Sequence, residues 1–491
     1  MIKQGLPGYM RTRVAETGAI LLCLYVQLFW GDCLCGSTVV KQQAECEVGG
    51  VPAGEALIVF NGTIWTGDPE EPYADALAGL FDAHVHLLEG GQLLGQLDLT
   101  DVHSKHDFVS AIAAACEAAD DGSWVLGGRW DESNWGGELP AASWIEPACR
   151  GKKVYLDRLD GHMAFVSTAA GSLAGIHKGT ADPEGGRIWR DSQGAFTGLL
   201  ADAAMRLVNQ HVPRADLAAK HRALQTAAQH LLTQGVTMAH DMGPFPPDED
   251  RAWMNLEQVY LPAAAREELP VRVLAHVPLS SCNDASTRGL ATVDIGVLSQ
   301  QIREASAACL QVSVHAIGDA ANDLVLQAYE EALTAGQSEL GLTVIANPHH
   351  ILTDKVTVLE RIGKDRAGPG RTYAFKSLLE AGADLAFGSD WPVAPASPLL
   401  GVYAAIHRRR PDEPFGSGFH LGESLTAEEA LLASTREAAK ASGLLDSLGT
   451  LTPGKWADMV VLSHSPVMMQ SDAAIPEVLQ TYLAGQCVHG C

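Results

Sequence analysis

The sequence predicts an α/β protein built on an incomplete (β/α)8 TIM-type barrel, with a small composite β-sandwich drawn from both chain ends. Three observations carry that expectation. Apolar, β-branched runs alternate with Ala-rich helical stretches, the pattern of a parallel sheet with helical crossovers. The 491 residues leave room for a barrel, which takes roughly 250 residues or more, and for a smaller domain beside it. The edges of the chain differ from its middle: Ala56–Thr66 reads as a hairpin around Asn61-Gly62, and Gly454–Leu462 as a turn followed by a strand.

In chain order the candidate strands are Leu80–His86, Trp124–Trp130, Lys153–Leu159, Val236–His240, Val271–Val277, Leu310–Ile317, Leu342–Ala346 and Asp384–Gly388. Helical intervals are expected at Asp107–Ala119, Ala215–Thr233, Ala321–Ala335 and Thr372–Ala381, the last stopped by Gly382. The domain reading is an N-terminal extension at 1–49, a composite sandwich from 50–78 plus 445–485, and the barrel at 79–444.

A composition of 47% hydrophobic and 19% charged residues supports a sizeable core and excludes a disordered chain. The net charge of -25 argues against nucleic acid or an anionic membrane surface as partner. Near the N-terminus, Arg11 and Arg13 precede an apolar run, Ala19–Trp30, followed by small residues at Gly31, Gly36 and Ser37. That order reads as a secretory signal or a membrane anchor. The run is shorter than the ~20 apolar residues of a spanning helix. A signal or anchor would send the protein to the secretory pathway, the ER or a membrane; a plain extension would leave it cytoplasmic. Of ten cysteines, four crowd the N-terminus (Cys23, Cys33, Cys35, Cys46) and no C-x-x-C pair occurs. The scattered ones read as small buried apolar residues.

The residues that could carry chemistry sit at strand ends. In His84-Val85-His86 the two imidazoles are two residues apart on a strand, so they project from one face and can share a metal ion. With 18 histidines, roughly one such pair is expected by chance, and its place at the end of an apolar run is what raises its value. His315 ends a second run, in VSVHAIGD; the bland alternative is a core histidine bonded to backbone. Asp390, in LAFGSDWPV, emerges after Gly388 and Ser389 break a strand, where a carboxylate can bind metal or act as base; the alternative is a helix-capping Asp. Asp160-Gly161-His162 and His240-Asp241 read as structural or supporting groups near strand ends. His349-His350 could add a ligand, and Trp130, Trp135 and Trp391 could wall a pocket. There is no Gly-rich phosphate loop and no G-x-S-x-G elbow.

The ordered segments FDAHVHLLEGG, LDRLDGHMAFVSTAA, GGRIWRDSQGAFTGLL, VTMAHDMG, VSVHAIGDAAND, LAFGSDWPV and GTLTPGKWADMVVL resemble the amidohydrolase 3 (YtcJ-like) family, with a narrower resemblance to its plant and algal long-after-far-red-3-like branch. The resemblance implies hydrolysis of a carbon–nitrogen bond other than a peptide bond in a small amide-type substrate, with a divalent metal, zinc foremost. It implies His84, His86, His315 and Asp390 as metal ligands. Asp390 would also move protons, and His162, Asp319, His350 and Trp391 would be substrate-side residues. Three departures stand against it. Members carry roughly 35 more residues between the first hairpin and the H-x-H strand, more than loop variation allows. The lysine-bearing strand near D-G-S-L-G is missing, and no lysine occurs between Lys220 and Lys355. The R-I-E-H-A strand after HAIGD is also missing, so Asn347-Pro348-His349-His350 matches the next family strand, Q-P-x-H. These gaps favour one metal ion over two and make Trp124–Trp130 an insertion outside the barrel. A catalytically impaired amidohydrolase-like protein, acting as a binding or regulatory module, is the alternative; a lyase or isomerase on the same scaffold is a third. Oligomeric state is not legible.

Overall fold

The computed structural model describes residues 24–30, 64–65, 73–74, 77–120, 122–159, 162–244, 251–276, 295–307, 312–316, 319–333, 340–471 and 474–491. They divide into two compact units, one made of Met1–Leu87, Ala228–Glu257 and Ala264–Cys491, the other of Leu88–Ala227 and Gln258–Ala263.

The first unit is organised by seven strands: β1 (Leu24–Trp30), β2 (Leu80–Val85), β3 (Val236–Asp241), β4 (Arg272–Ala275), β5 (Ser313–Ala316), β6 (Leu340–Ala346) and β7 (Asp384–Phe387). β3 lies between β4 and β2, parallel to both, and β6 is parallel to β7. A parallel bridge from Val85 to Trp391 joins the two groups. Every residue of β2 and β3 is buried, which is why both read as unbroken apolar runs rather than alternating ones. β1 is the exception to the parallel order. It runs antiparallel between β5 and β6, pairing Tyr25 with His315 on one side and Ile345 on the other. The second half of the predicted signal segment therefore forms a strand; the rest of residues 1–49 lies outside the described residues. No described helix is long and apolar enough to cross a membrane.

Two cores flank these strands. Phe81, Ala83, Met238, Ile345 and Ala386 pack on the short helix Arg436–Ala441, whose Ala438, Ala439 and Ala441 let it approach the sheet closely. Leu80, Val344, Leu385 and Phe387 pack instead against Phe375, Leu399, Val402 and Tyr403. Each of the larger side chains contributes roughly 1.5–3 kcal/mol by leaving water.

Both chain ends meet in one antiparallel sheet, in the order Gln486–His489, Val478–Leu483, Met459–Leu462, Leu77–Ala78. Of the predicted Asn61-Gly62 hairpin only Ile64–Trp65 is described, paired with Tyr73–Ala74; the turn itself lies outside the described residues. Asp458 ties this sheet to β4. Its carboxylate receives two hydrogen bonds from the Arg272 guanidinium (3.0 and 3.1 Å) and one from the Ala484 N–H, while its carbonyl accepts from Gly79.

The second unit holds a six-stranded sheet in the order Gly186–Arg190, Phe196–Asp202, Met163–Val166, Lys153–Arg158, Trp124–Trp130, Leu97–Asp98. Two of the eight predicted strands, Trp124–Trp130 and Lys153–Leu159, thus belong here. Phe108, Trp130 and Phe165 centre its core. The reading of the scattered cysteines as lone apolar residues is corrected in this core. Cys116 and Cys149 are disulfide-bonded, as are Cys487 and Cys491. The helix Lys105–Ala118 brings Cys116 against the turn that carries Cys149, a contact across 33 residues that no short motif announces.

Arg272→Ala strands the buried Asp458 carboxylate. The variant is expected to lose about 2 kcal/mol, a partly exposed pair costing less to break than a fully buried one. Urea unfolding read by circular dichroism measures this, and an unchanged midpoint would count against the tie.

Candidate metal centre

The centre is assembled where β2 meets the turn after β7. The Asp390 N–H donates to the His84 carbonyl (2.8 Å), and the His86 N–H donates to the Trp391 carbonyl (2.7 Å). These two backbone bonds extend the sheet past the end of β7. They bring together three side chains from opposite ends of the sequence, His84, His86 and Asp390, all buried, with one ligand-type atom from each lying within 4.8 Å of the others. His84 Nε2 is 3.1 Å and His86 Nε2 3.5 Å from Asp390 Oδ1. The other oxygen, Oδ2, is 3.2 Å from His350 Nε2.

The backbone is shaped to make this possible. Asp390 has φ +63°, a left-handed conformation that costs a non-glycine residue energy and persists only where neighbours hold it. Gly388 sits so close to β2 that a Cβ there would be 2.4 Å from His84 Cβ. His86 Nδ1 lies 2.6 Å from the Gly243 carbonyl, which can only accept, so that ring nitrogen donates and Nε2 is the atom left to face Asp390. Asp241 supports that arrangement by accepting from Leu87 N–H (2.9 Å) and Gly243 N–H (3.3 Å).

Charge is arranged around one carboxylate. Burial alone would raise the Asp390 pKa, but His84, His350 and His86 outweigh it and hold the group well below the usual carboxylate range. Burial likewise opposes charge on His86 and His350, yet the hydrogen bonds to Asp390 raise both. His84 moves the other way, lowered by its burial. Two imidazole nitrogens and one carboxylate form the donor set that zinc and similar divalent ions take in catalytic sites, and the Gly243 carbonyl orients one ring as such sites do. The residues present therefore fit a divalent cation.

The other predicted residues fall as follows. His315 lies on β5 and Asp319 opens the helix Asp319–Leu333; their side chains lie outside the described part of the structure. His162 is exposed in the second unit, ion-paired with Asp202 at 2.9 Å; Asp160 and Gly161 lie outside the described residues. Trp391 is buried and stacks on His230, ring centroids 5.3 Å apart. His240 is buried with Nε2 on Ser442 Oγ (2.6 Å). Of the adjacent pair, His350 joins the centre, while His349 is turned away, with Nε2 donating to the Ser397 carbonyl and its pKa lowered to about 4 by burial. Sequence reasoning missed Asp82. Its buried carboxylate accepts from Ser389 N–H (2.8 Å) and His84 N–H (3.3 Å), and burial pushes its pKa up to about 7 against those bonds and a further one with the Ser389 side chain. The available signal was its position two residues before His84 on the same strand.

Residues 76–489 match the family model described as Amidohydrolase family. The chain belongs to this family. As an amidohydrolase it is a hydrolase of carbon–nitrogen bonds other than peptide bonds. It is 32% identical to Protein LONG AFTER FAR-RED 3 of Arabidopsis thaliana, over 89% of this chain and 92% of that protein. It is 23% identical to the N-substituted formamide deformylase of Arthrobacter pascens, over 91% and 92% respectively. Among solved structures, an uncharacterized metal-dependent hydrolase from Pyrococcus horikoshii OT3 shares the fold, with a TM-score of 0.59 and 20% identity, covering 80% of this amidohydrolase and 86% of that chain.

Gly388→Ala is expected to push the turn after β7 away from β2. The overpacking should cost about 1–3 kcal/mol. It should also lower the metal content of the purified protein, measured by elemental analysis alongside thermal unfolding. A variant matching the wild type in both would show that the close approach is not needed.

Proposed function

We propose that this amidohydrolase binds one divalent cation, zinc by the chemistry of its donors, and hydrolyses the C–N bond of a small amide-type substrate. His84, His86 and Asp390 hold the cation, with His315 as the further ligand that the family motif implies. The observation that carries this reading is the bridging position of Asp390. One oxygen faces two imidazole nitrogens and the other faces His350, in a single buried site.

A divalent cation there supplies the Lewis acidity that makes water nucleophilic near neutral pH. The protein's own groups supply the rest. Asp390, held ionised by its three histidines, is ready to accept a proton from the attacking water. The Oδ2–His350 hydrogen bond orients the carboxylate and keeps a proton donor beside it. The proton then passes from Asp390 to the leaving nitrogen. Trp391, fixed by stacking on His230, holds the turn that carries Asp390.

The choice of one ion over two is supported by β1. By chain order the family's histidine-bearing strand belongs between β5 and β6, and that place is taken by LYVQLFW, which contains no histidine, cysteine or carboxylate. The same feature favours the alternative, an impaired amidohydrolase-like binding module. The likeness to an N-substituted formamide deformylase makes N-substituted formamides the first substrates to try.

Elemental analysis of the purified chain should find about one equivalent of divalent metal, lost in His86→Ala. Protein without stoichiometric metal, or indifferent to His86→Ala, would sink the proposal. Separately, Asp390→Asn is expected to lower kcat about 10²–10⁴-fold on whichever amide is turned over. Metal-loaded wild type that cleaves none of a broad amide panel would favour the binding-module reading.

A further inference from the structure

The centre contains a buried carboxylate that no chemical step uses. Asp82 is 1% exposed, yet it is not a ligand-type partner of the histidine–aspartate cluster. Its Oδ1 instead receives two backbone N–H groups, from Ser389 at 2.8 Å and from His84 at 3.3 Å. Each is a residue of the centre or its direct neighbour: His84 is a ligand, and Ser389 immediately precedes Asp390. One oxygen thus touches both strands that the centre spans.

The turn it holds is the strained one. Asp390 adopts φ +63° between the strand-ending Gly388-Ser389 and Trp391. Four further bonds pin that turn: Asp390 N–H to the His84 carbonyl, His86 N–H to the Trp391 carbonyl, Trp391 N–H to Ser389 Oγ (3.0 Å), and Val393 N–H to the Asp390 carbonyl (2.7 Å). Ahead of the turn the Gly388 N–H donates to the Ala346 carbonyl (3.0 Å), and the next amide, that of Ser389, is the one Asp82 satisfies. Without it the Ser389 amide would be buried and unsatisfied, and the strained conformation would lose the bond at its start.

We propose that Asp82 is a positioning residue of the metal centre: by accepting the amides of Ser389 and His84 on one oxygen, it sets the distance between the Asp390 carboxylate and the His84–His86 pair. The inference rests on the reading that these three residues hold a cation. What matters is an acceptor at the position of Oδ1, not the charge. The second oxygen, Oδ2, has no hydrogen-bond partner among the described residues, and Asp82 borders a cavity of about 10 Å³ that His349 and Ser434 also line. A longer side chain therefore has room to withdraw its acceptor from the two amides.

The test uses cobalt(II) added to the metal-stripped full chain. Affinity is read by competition with a chelator and ligand geometry by the visible d–d spectrum. Asp82→Asn keeps the acceptor and removes the charge; it should bind within about threefold of wild type with the same spectrum. Asp82→Glu keeps the charge and displaces the acceptor; it should bind at least about tenfold more weakly, with a shifted band, the scale on which groups supporting metal ligands act. If Asp82→Glu does not fold, Asp82→Ala carries the same expectation. A displaced acceptor with wild-type affinity and spectrum would overturn the proposal, as would folded Asp82→Asn that binds as weakly as Asp82→Glu. His86→Ala, run in parallel, separates the two readings: if it binds cobalt like wild type, the centre itself is wrong, whereas its loss beside an unaffected Asp82→Glu removes only the role of Asp82.

Discussion

Two backbone hydrogen bonds between β2 and the turn after β7 decide what this amidohydrolase can do. Asp390 N–H reaches the His84 carbonyl, and His86 N–H reaches the Trp391 carbonyl. A ligand set drawn from residues 84, 86 and 390 has no local restraint to hold it. Its geometry is only as good as this seam, and metal sites tolerate errors of only roughly 0.5 Å. The neighbouring features all serve the seam. Gly388 lets the chains approach, Asp241 fixes the loop beyond His86, and helix Arg436–Ala441 closes the strands from beneath through small side chains.

The electrostatics follow from the same closeness. One ionised carboxylate is stable in this buried site because two of the three imidazoles around it, His86 and His350, are the rings whose charged form it favours. The hydrogen bonds to Asp390 raise the pKa of His86 and His350 against their burial. His86 faces one oxygen and His350 the other. Under the proposed function, the asymmetry between the two oxygens would let one carboxylate serve as ligand on one side and as proton carrier on the other.

Much of this was legible in the sequence, for identifiable reasons. All eight apolar runs contain strands, and in β2 and β3 burial on both faces writes the continuous hydrophobic signature. That signature does not say which sheet a strand joins, so Trp124–Trp130 and Lys153–Arg158 could not be told apart from the strands of the first unit. The H-x-H pair and Asp390 were legible because metal chemistry restricts residue type and strand ends restrict position. Asp82 was not, since its partners are backbone amides, which every residue carries. Gly388 does follow the end of β7, as read, but the space it leaves for His84 was not legible. His349 and His350 are adjacent and identical in chemistry, and only the turn of the backbone between them separates a structural ring from one in the centre.

The place of β1 has a consequence for how the molecule is made. Residues 24–30 leave the ribosome well before the strands they pair with, at 313–316 and 340–346. For most of synthesis this apolar segment has no edge to join. Closing so long a loop is entropically expensive, and an unpaired apolar strand invites association with other chains. Once in place, it covers edges that β5 and β6 would otherwise expose to one another or to a second molecule. The segment is thus both a hazard of the nascent chain and, afterwards, the strand that joins β5 to β6 in one sheet.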